Sequence, residues 1–322
     1  MTTSLRTPSM NQSKHLDVVV AGLALADIIG RPVEFNKPPK RGTLQLIDSV
    51  MLTTGGNVSN VGIDLSRLGF RVAAITRVGN DSIGRFVTQH YRTHGIDTEG
   101  VIIDAKAQTS ATIVGVDASG ERTFLHTRGC MKNFRAGDIL SRLPLIQKAP
   151  IFAFGYLGLL PETQKEFKHL FQTLKRETSA KIFLDTAASP RVTARELRGF
   201  LPYVDFFIPS YEEAVAITGR KTPESIVETL LAAGAPSIVG VKLAEQGCYI
   251  SDGHHAAFVK ATRVKKVVDA TGAGDAFVAG FIAATLKGLD PFKAARVANA
   301  VAASCVSAVG ASTAIKKFDE YR

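Results

Sequence analysis

A glycine-rich stretch separates a β-branched run from a long apolar run: Val267-Val268-Asp269-Ala270-Thr271-Gly272-Ala273-Gly274-Asp275-Ala276-Phe277. This order predicts a strand that ends at Asp269, a turn of small residues, and a helix that begins near Gly274. Consecutive backbone N–H groups of such a turn converge at the helix N-terminus, where they can stabilise the negative charge of a phosphoryl group during its transfer. Asp275 lies in the first helical turn, where the macrodipole favours its ionised form and a carboxylate can take a proton from an attacking hydroxyl. The alternative is a plain turn in which Asp275 only caps the helix.

Upstream of this stretch, short apolar runs alternate with amphipathic segments. The predicted strands are 151–155, 181–185, 205–208 and 237–241. The predicted helices are 162–177, 193–199, 211–218, 224–233 and, after a hairpin-like region at 247–268, 274–287 and 291–308. Strand–helix alternation of this kind is typical of a parallel sheet covered by helices on both faces.

The N-terminal half combines the same pattern with short β-rich runs. Leu16–Leu25 predicts one buried strand bounded by Asp27, and further elements are a helix after Gly56, a strand at 71–78 and a helix at 82–94. The runs 109–116 and 122–126 flank a turn at Asp117-Ala118-Ser119-Gly120, which is typical of a hairpin.

The domain organisation that follows is simple. We expect one α/β domain over residues 15–315, with a small β-sheet lid formed from about 35–54 and 98–127. Residues 1–14 are polar and are predicted to be disordered.

Composition excludes several classes of protein. The chain has 322 residues, 45% hydrophobic and 21% charged, which are ordinary globular values and exclude disordered, coiled-coil and collagen-like chains. No apolar run is long enough to span a bilayer, the first residues lack a secretion signal, and three scattered cysteines form no disulfide framework. A cytoplasmic protein without membrane contact is therefore expected. The net charge of +10 is spread along the chain, so it favours polyanionic small molecules over nucleic acid.

Two motifs together identify a family resemblance. Asp269–Phe277 with Gly280-Phe281, and Gly55-Gly56-Asn57-Val58-Ser59-Asn60-Val61 with Leu65–Gly69, resemble the two signatures of the ribokinase-like (PfkB) carbohydrate kinases. No Gly-Lys dipeptide of a Walker A loop and no G-x-G-x-x-G fingerprint occurs in the chain. The resemblance implies a three-layer α/β/α fold with a mostly parallel central sheet and a β-sheet lid. It also implies ATP- and Mg²⁺-dependent phosphorylation of a terminal hydroxyl of a sugar or sugar-like molecule.

The resemblance also assigns expected roles to individual residues. Asp275 matches the catalytic base, and the anion hole matches Gly272, Ala273 and Gly274. The substrate-binding positions are Asp27, Gly55, Gly56, Asn57 and Asn60. The nucleotide-binding positions are Ser210 (where the family usually has Asn), Lys242, Glu245, Gly247 and Asn299. Glu213 matches a Mg²⁺-holding residue, and a possible K⁺ site comprises the Asp269 carboxylate with carbonyls of Thr271, Cys305, Ala308 and Gly310. For each position the plain alternative is a cap, a tight turn or a helix-surface side chain.

Two other functions stay open at this stage. A nucleoside kinase of the same fold would use lid aromatics to hold a base, and residues 98–127 contain Phe124 as their single aromatic residue. A non-catalytic sugar or nucleotide sensor is disfavoured because Asp275 is present. The departure of Thr127–Met131 from the family's Gly-Ala-Asn leaves the sugar undefined. Apolar lid positions such as Ile113 and Phe124 need cover, which predicts a homodimer through the lid.

Overall fold

The computed structural model describes residues 15–34, 36–187, 192, 194–235 and 237–321. Residues 1–14, which the sequence predicts to be disordered, lie outside the described part of the chain. The strands are β1 (Val18–Gly22), β2 (Leu25–Arg31), β3 (Ser49–Gly55), β4 (Val72–Ile75), β5 (Arg77–Gly79), β6 (Ile102–Asp104), β7 (Ala111–Val116), β8 (Arg122–Thr127), β9 (Ile151–Leu157), β10 (Lys181–Thr186), β11 (Phe206–Phe207), β12 (Ile238–Lys242), β13 (Gly247–Ser251) and β14 (Ala256–Lys260). The helices are α1 (Asn57–Leu68), α2 (Ser82–Thr93), α3 (Ala136–Leu140), α4 (Leu143–Ile146), α5 (Pro161–Gln164), α6 (Phe167–Glu177), α7 (Ala194–Leu197), α8 (Tyr211–Thr218), α9 (Pro223–Ala232), α10 (Ala273–Leu286) and α11 (Pro291–Cys305).

The central sheet has the strand order β14-β13-β12-β11-β10-β9-β1-β4. Pairing is parallel from β4 through β12 and antiparallel at β13 and β14. Alternate residues of β1 face opposite sides of the central sheet. Val19 belongs to the apolar core on the side of α3 to α9, and Val18 belongs to the core on the side of α1, α2, α10 and α11. The predicted three-layer α/β/α fold with a mostly parallel sheet is confirmed.

The predicted first strand is divided between two sheets. β1 ends at Gly22, whose φ of 135° is a conformation that side chains rarely adopt, and a Cβ there would overlap Gly155 O. The chain then turns, and β2 begins at Leu25 in a separate small sheet. Asp27 therefore lies inside β2 and does not mark the end of the first strand. The apolar run hides this break because both halves of it are buried.

The small sheet has the order β3-β2-β7-β8. The predicted lid segments supply β3, β7 and β8, and β2, which lies outside the predicted lid segments, joins them. Residues 102–104 do not belong to this sheet, because β6 pairs in parallel with β5 in a two-stranded sheet.

The register of the small sheet assigns its side chains to two faces, since residues opposite each other share a face. Ile113 is paired with Leu125 and, through Ile28, with Leu52, and these side chains form an outer face. Phe124 is paired with Val114 and lies on the opposite, inner face with Asp27 and Arg122. Ile113 and Phe124, the two apolar lid positions that the sequence predicts to need cover, therefore lie on opposite faces, and they are 51% and 59% exposed.

The C-terminal segment also departs from expectation. The last strand ends at Lys260, so neither a strand at 267–269 nor a hairpin extending to residue 268 is present. Val267 and Val268 are 57% and 48% exposed, since no neighbouring strand covers them, and Val268 N donates to Val306 O at 2.8 Å. Helix α10 does begin at the predicted turn. Within the described residues, no helix combines the length and apolar character needed to cross a membrane.

Candidate active site

A pocket of about 1000 Å³ opens at the carboxyl edge of the central sheet. Three parallel strands end there, and Tyr156 of β9, Asp185 of β10 and Lys242 of β12 line the pocket. Glu213 in the first turn of α8 and Asp275 in the first turn of α10 complete its polar wall. Ligands of open α/β sheets gather at this edge, so the pocket lies where a ligand is expected.

The turn before α10 has the geometry that the glycine run predicts. Gly272 is the N-cap residue in a left-handed conformation, with φ of 79°, and a Cβ at this position would overlap the Ala311 side chain. The amides of the first helical turn have no acceptor within the helix, and Ala273 and Gly274 of this turn line the pocket. Ala273 N itself makes a long bond of 3.3 Å to Ala270 O.

Asp275 is a buried carboxylate with two unequal oxygens. Its Oδ2 accepts hydrogen bonds from Tyr156 OH at 2.8 Å and from Asn60 Nδ2 at 2.9 Å. Its Oδ1 is buried and has no hydrogen-bond partner among the described residues. Burial raises the pKa of Asp275, whereas Asn60, Tyr156 and Lys242 act to lower it. The expectation that the helix macrodipole sets its charge is thus incomplete, because burial acts in the opposite direction and the pKa of Asp275 lies above its ordinary value.

Tyr156 is a site residue that the sequence did not reveal. It adopts φ of 48°, a left-handed conformation that costs energy for any residue with a side chain. This backbone directs its hydroxyl at Asp275, and burial and the neighbouring carboxylate raise the pKa of the phenol. In the sequence Tyr156 is one more aromatic residue in an apolar strand, and no pattern distinguishes it from core residues such as Phe154.

A network of charged groups forms the wall opposite Asp275. Lys242 Nζ lies 2.9 Å from Asp185 Oδ1, and both side chains are largely buried. Burial raises the pKa of Asp185 to about 6 in spite of Lys242. Burial acts to lower the pKa of Lys242, but Asp185 and Glu213 together raise it above its ordinary value, so the lysine stays charged. Sequence reasoning found Lys242 and missed Asp185, which has the form of an ordinary strand-end aspartate.

Glu213 and Ser210 lie at the start of α8. Glu213 Oε2 accepts hydrogen bonds from Thr186 Oγ1 at 2.5 Å and from Ser210 N at 3.0 Å. Burial would raise the pKa of Glu213, but Lys242 and these hydrogen bonds bring it below its ordinary value. The carboxylate is therefore charged, and Ser210, which stands where an asparagine was expected, lines the same pocket.

The expected substrate residues separate into two groups. Asp27 lies half-buried on the inner face of the small sheet. Burial raises the pKa of its carboxyl group, although a hydrogen bond with Thr112 and the charge of Arg122 act to lower it. Gly55 leaves the space that this carboxylate occupies, because a Cβ there would overlap Asp27 Oδ2. Asn60 reaches Asp275 from α1. Asn60 therefore contacts Asp275 directly, whereas Asp27 and Gly55 lie against each other in the small sheet.

Asn57 and Gly56 do not face the pocket. Asn57 is buried, accepts from Leu23 N at 2.8 Å and donates to Ala21 O at 2.9 Å. Gly56 has a φ of 89° and lies close to the backbone of Leu23, because a Cβ on Gly56 would overlap the Leu23 carbonyl oxygen. The expectation that Asn57 faces the substrate is wrong: its amide holds the turn between β1 and β2.

The remaining nucleotide-binding positions lie along the outer end of the pocket. Glu245 and Gly247 follow β12, and Asn299 of α11 contributes to the same wall. Asn299 Nδ2 donates to Val259 O and Lys260 O, both at 3.1 Å. Its amide group is thus used to join α11 to β14, which explains its burial without a ligand.

The five residues of the expected potassium site come together, but three of the expected ligands, the Asp269 carboxylate and the carbonyls of Thr271 and Cys305, have other partners. Asp269 Oδ2 accepts from Arg122 Nη2 at 2.8 Å and from Gly310 N at 3.1 Å, and Oδ1 accepts from Thr271 N at 3.0 Å. Burial acts to raise the pKa of Asp269, yet these bonds lower it to about 2. Cys305 Sγ donates to Thr271 O at 3.4 Å, and Ala308 N to Cys305 O at 3.4 Å. A potassium ion does not fit this set of partners, because a guanidinium already neutralises the carboxylate.

Comparison with known proteins adds independent findings. A family model described as pfkB family carbohydrate kinase matches residues 15–317. The chain is 30% identical over 283 residues to the 2-dehydro-3-deoxygluconokinase of Bacillus subtilis (strain 168), covering 84% of this chain and 85% of that protein. It is 31% identical over 241 residues to fructokinase-1 of Zea mays, covering 72% and 74%. The structure of Arabidopsis thaliana ribokinase complexed with ribose and ATP superposes with a TM-score of 0.79 at 21% identity, covering 95% and 97%.

Proposed function

The chain belongs to the pfkB family of carbohydrate kinases, phosphotransferases with an alcohol group as acceptor, and on this premise we propose that Asp275 is the general base of an ATP-dependent sugar kinase. The observation that carries the proposal is the buried, unpartnered Oδ1 of Asp275 beside the first amides of α10. Tyr156 and Asn60 occupy the other oxygen. One atom of the carboxylate is thereby left for the proton of an attacking sugar hydroxyl.

The remaining polar groups are arranged for phosphoryl transfer, in which a protein contributes mainly positioning and charge stabilisation. Amides of Gly272, Ala273 and Gly274 form the anion hole for the transferred group. A Cβ on Gly274 would lie 3.6 Å from Lys242 Nζ, so the lysine stands beside this hole. Its positive charge, held by Asp185 and Glu213, offsets negative charge on the phosphates.

The site fits ATP with Mg²⁺. No cluster of three or more metal-ligating side chains occurs in the described part of the chain. Magnesium bound with a nucleotide needs no such cluster, because phosphates and waters supply most of its ligands and the protein supplies one or two carboxylates. Glu213 is charged and lines the pocket, so it would hold the ion, directly or through water. The ion would neutralise the phosphates, and the pocket between Ser210, Glu245, Gly247 and Asn299 would hold the nucleotide.

The sugar would lie between Asp275 and the inner face of the small sheet. Asp27 is the carboxylate on that face, and a charge-assisted hydrogen bond to sugar hydroxyls is a strong anchor. The small sheet would act as a lid that excludes water from the reaction. Since one relative is a 2-dehydro-3-deoxygluconokinase and another a fructokinase, the substrates tested first are a keto-deoxy sugar acid and a ketohexose.

A nucleoside kinase is the second candidate, because Phe124 lies on the inner face and is 59% exposed, where it could stack on a base. A coupled assay of ADP release against pentoses, hexoses, keto-deoxy acids and nucleosides distinguishes the candidates. Turnover with a sugar and none with nucleosides supports the sugar kinase. Turnover with nucleosides alone favours the second candidate, and no turnover with any acceptor contradicts both.

A homodimer through the outer face of the small sheet completes the proposal. Leu52, Ile113 and Leu125 lie on this face and are 45%, 51% and 56% exposed. A contiguous apolar face of a sheet is commonly covered by a partner. A twofold dimer would pair this face with the same face of a second copy of the chain.

A further inference from the structure

One arginine joins the small sheet to the anion-hole segment. Arg122 is the first residue of β8, and its guanidinium lies 2.8 Å from Asp269 Oδ2 and 2.5 Å from Thr271 Oγ1. Asp269 and Thr271 immediately precede the anion-hole residues 272–274. The two donors of a planar guanidinium thus hold two side chains of one turn, a fixed geometry that a lysine does not provide.

Three further donors of the chain bond to acceptors in or beside the same turn. Amides of Thr271 and Gly310 donate to the two oxygens of Asp269. The thiol of Cys305 donates to Thr271 O at 3.4 Å and to Ala311 O at 3.0 Å. The carboxylate and the Thr271 carbonyl, which a monovalent cation would need as ligands, are therefore already engaged within the chain.

We propose that the Arg122 guanidinium takes the place of a monovalent cation, so that the charge that orders the anion hole is supplied by the lid. This inference rests on the proposed kinase function. A free cation can order the anion hole whatever the position of the lid. A guanidinium on β8 can do so only when the small sheet lies against the body, so the position of the lid and the order of the anion hole become linked.

Two consequences are measurable. The wild-type protein should need no particular monovalent cation, for catalysis or for stability. Without Arg122, Asp269 loses its cationic partner, and a small cation such as K⁺ gains a carboxylate to bind. The Arg122→Ala variant should therefore acquire a potassium response that the wild-type protein lacks.

The test compares KCl with tetramethylammonium chloride at equal ionic strength, measuring sugar-dependent ADP release and the melting temperature. Wild type should give equal rates and equal melting temperatures in both salts. Arg122→Ala should lose about tenfold or more in kcat in tetramethylammonium, as expected for loss of a charge-assisted hydrogen bond. Potassium should restore part of that loss and raise the melting temperature of this variant. Arg122→Lys, which keeps the charge, should respond less to potassium than Arg122→Ala.

Arg85→Ala is the matched control, because Arg85 is an exposed arginine whose guanidinium bonds Ser82 Oγ on its own helix. It should behave as wild type in both salts. A wild-type rate or melting temperature that rises in potassium overturns the inference and leaves the kinase function intact. Equal melting temperatures of Arg122→Ala in the two salts also overturn it. If no acceptor is phosphorylated, the kinase function fails, and the melting temperatures still decide whether Arg122 replaces a cation.

Discussion

At Asp275, burial and hydrogen bonding act on the pKa in opposite directions. Burial disfavours the charged form, whereas the donors on Oδ2, Tyr156 and Asn60, favour it. A general base needs this balance, since a carboxylate that is too acidic accepts a proton poorly. Tyr156 also bonds one oxygen of the carboxylate, and we propose that it is a positioning residue that acts through Asp275.

Tyr156→Phe should lower kcat and move the acidic limb of the kcat–pH profile to higher pH. The hydroxyl stabilises the carboxylate, so its removal raises the pKa of Asp275 further, and the base becomes protonated at a higher pH. The loss should be about tenfold, as for one hydrogen bond to a charged group. Tyr203→Phe, which removes a hydroxyl bonded to Gln172 at a distance from the pocket, is the control. An unshifted profile in Tyr156→Phe would mean that the tyrosine has a packing role alone.

Between β1 and β2, a close approach of backbones decides where the chain leaves the central sheet. Gly22 combines φ of 135° with contact to Gly155 O, and Asn57 holds the residues on either side of the turn. Gly22→Ala should reduce the free energy of unfolding by about 2 kcal/mol or more, from backbone strain and overpacking together. Chemical denaturation measures the change.

Gly120→Ala separates these two effects. Gly120 also has a positive φ, of 93°, but a Cβ there would meet nothing within 4 Å. Gly120→Ala should therefore reduce the free energy of unfolding by about 1 kcal/mol, from backbone strain alone. Equal losses in the two variants would show that the contact with Gly155 does not determine the turn.

The elements differ in how far the sequence could predict them. The parallel strands and their helices follow from apolar runs alternating with amphipathic segments, and the small sheet follows from β-rich runs around a turn. The break at Gly22 lies within a continuous apolar run, so periodicity does not reveal it. Asp275 is visible because its glycine neighbours form a motif. Tyr156 and Arg122 are not, because their roles depend on residues more than a hundred positions away in the chain.

Across the whole molecule, we propose that the inner face of the small sheet serves catalysis and the outer face serves assembly of the dimer. Ile113→Lys or Leu125→Lys places a charge on the outer face and should convert the expected dimer to a monomer, because an uncompensated charge buried in an interface is costly. Phe124→Ser, on the inner face of the same strand as Leu125, should leave the dimer intact. Sedimentation equilibrium at micromolar concentration measures both. A monomeric wild-type protein would contradict the dimer.

The role of Asp275 is tested most directly by Asp275→Asn, assayed for ADP release and sugar phosphate formation with the best acceptor from the substrate screen. The amide keeps the shape of the side chain and cannot accept the proton as a carboxylate does. Nucleotide binding and the melting temperature should stay close to wild type, while kcat falls by about 100-fold or more. Turnover close to wild type in this variant would contradict the assignment of Asp275 as the base, and with it the proposed mechanism.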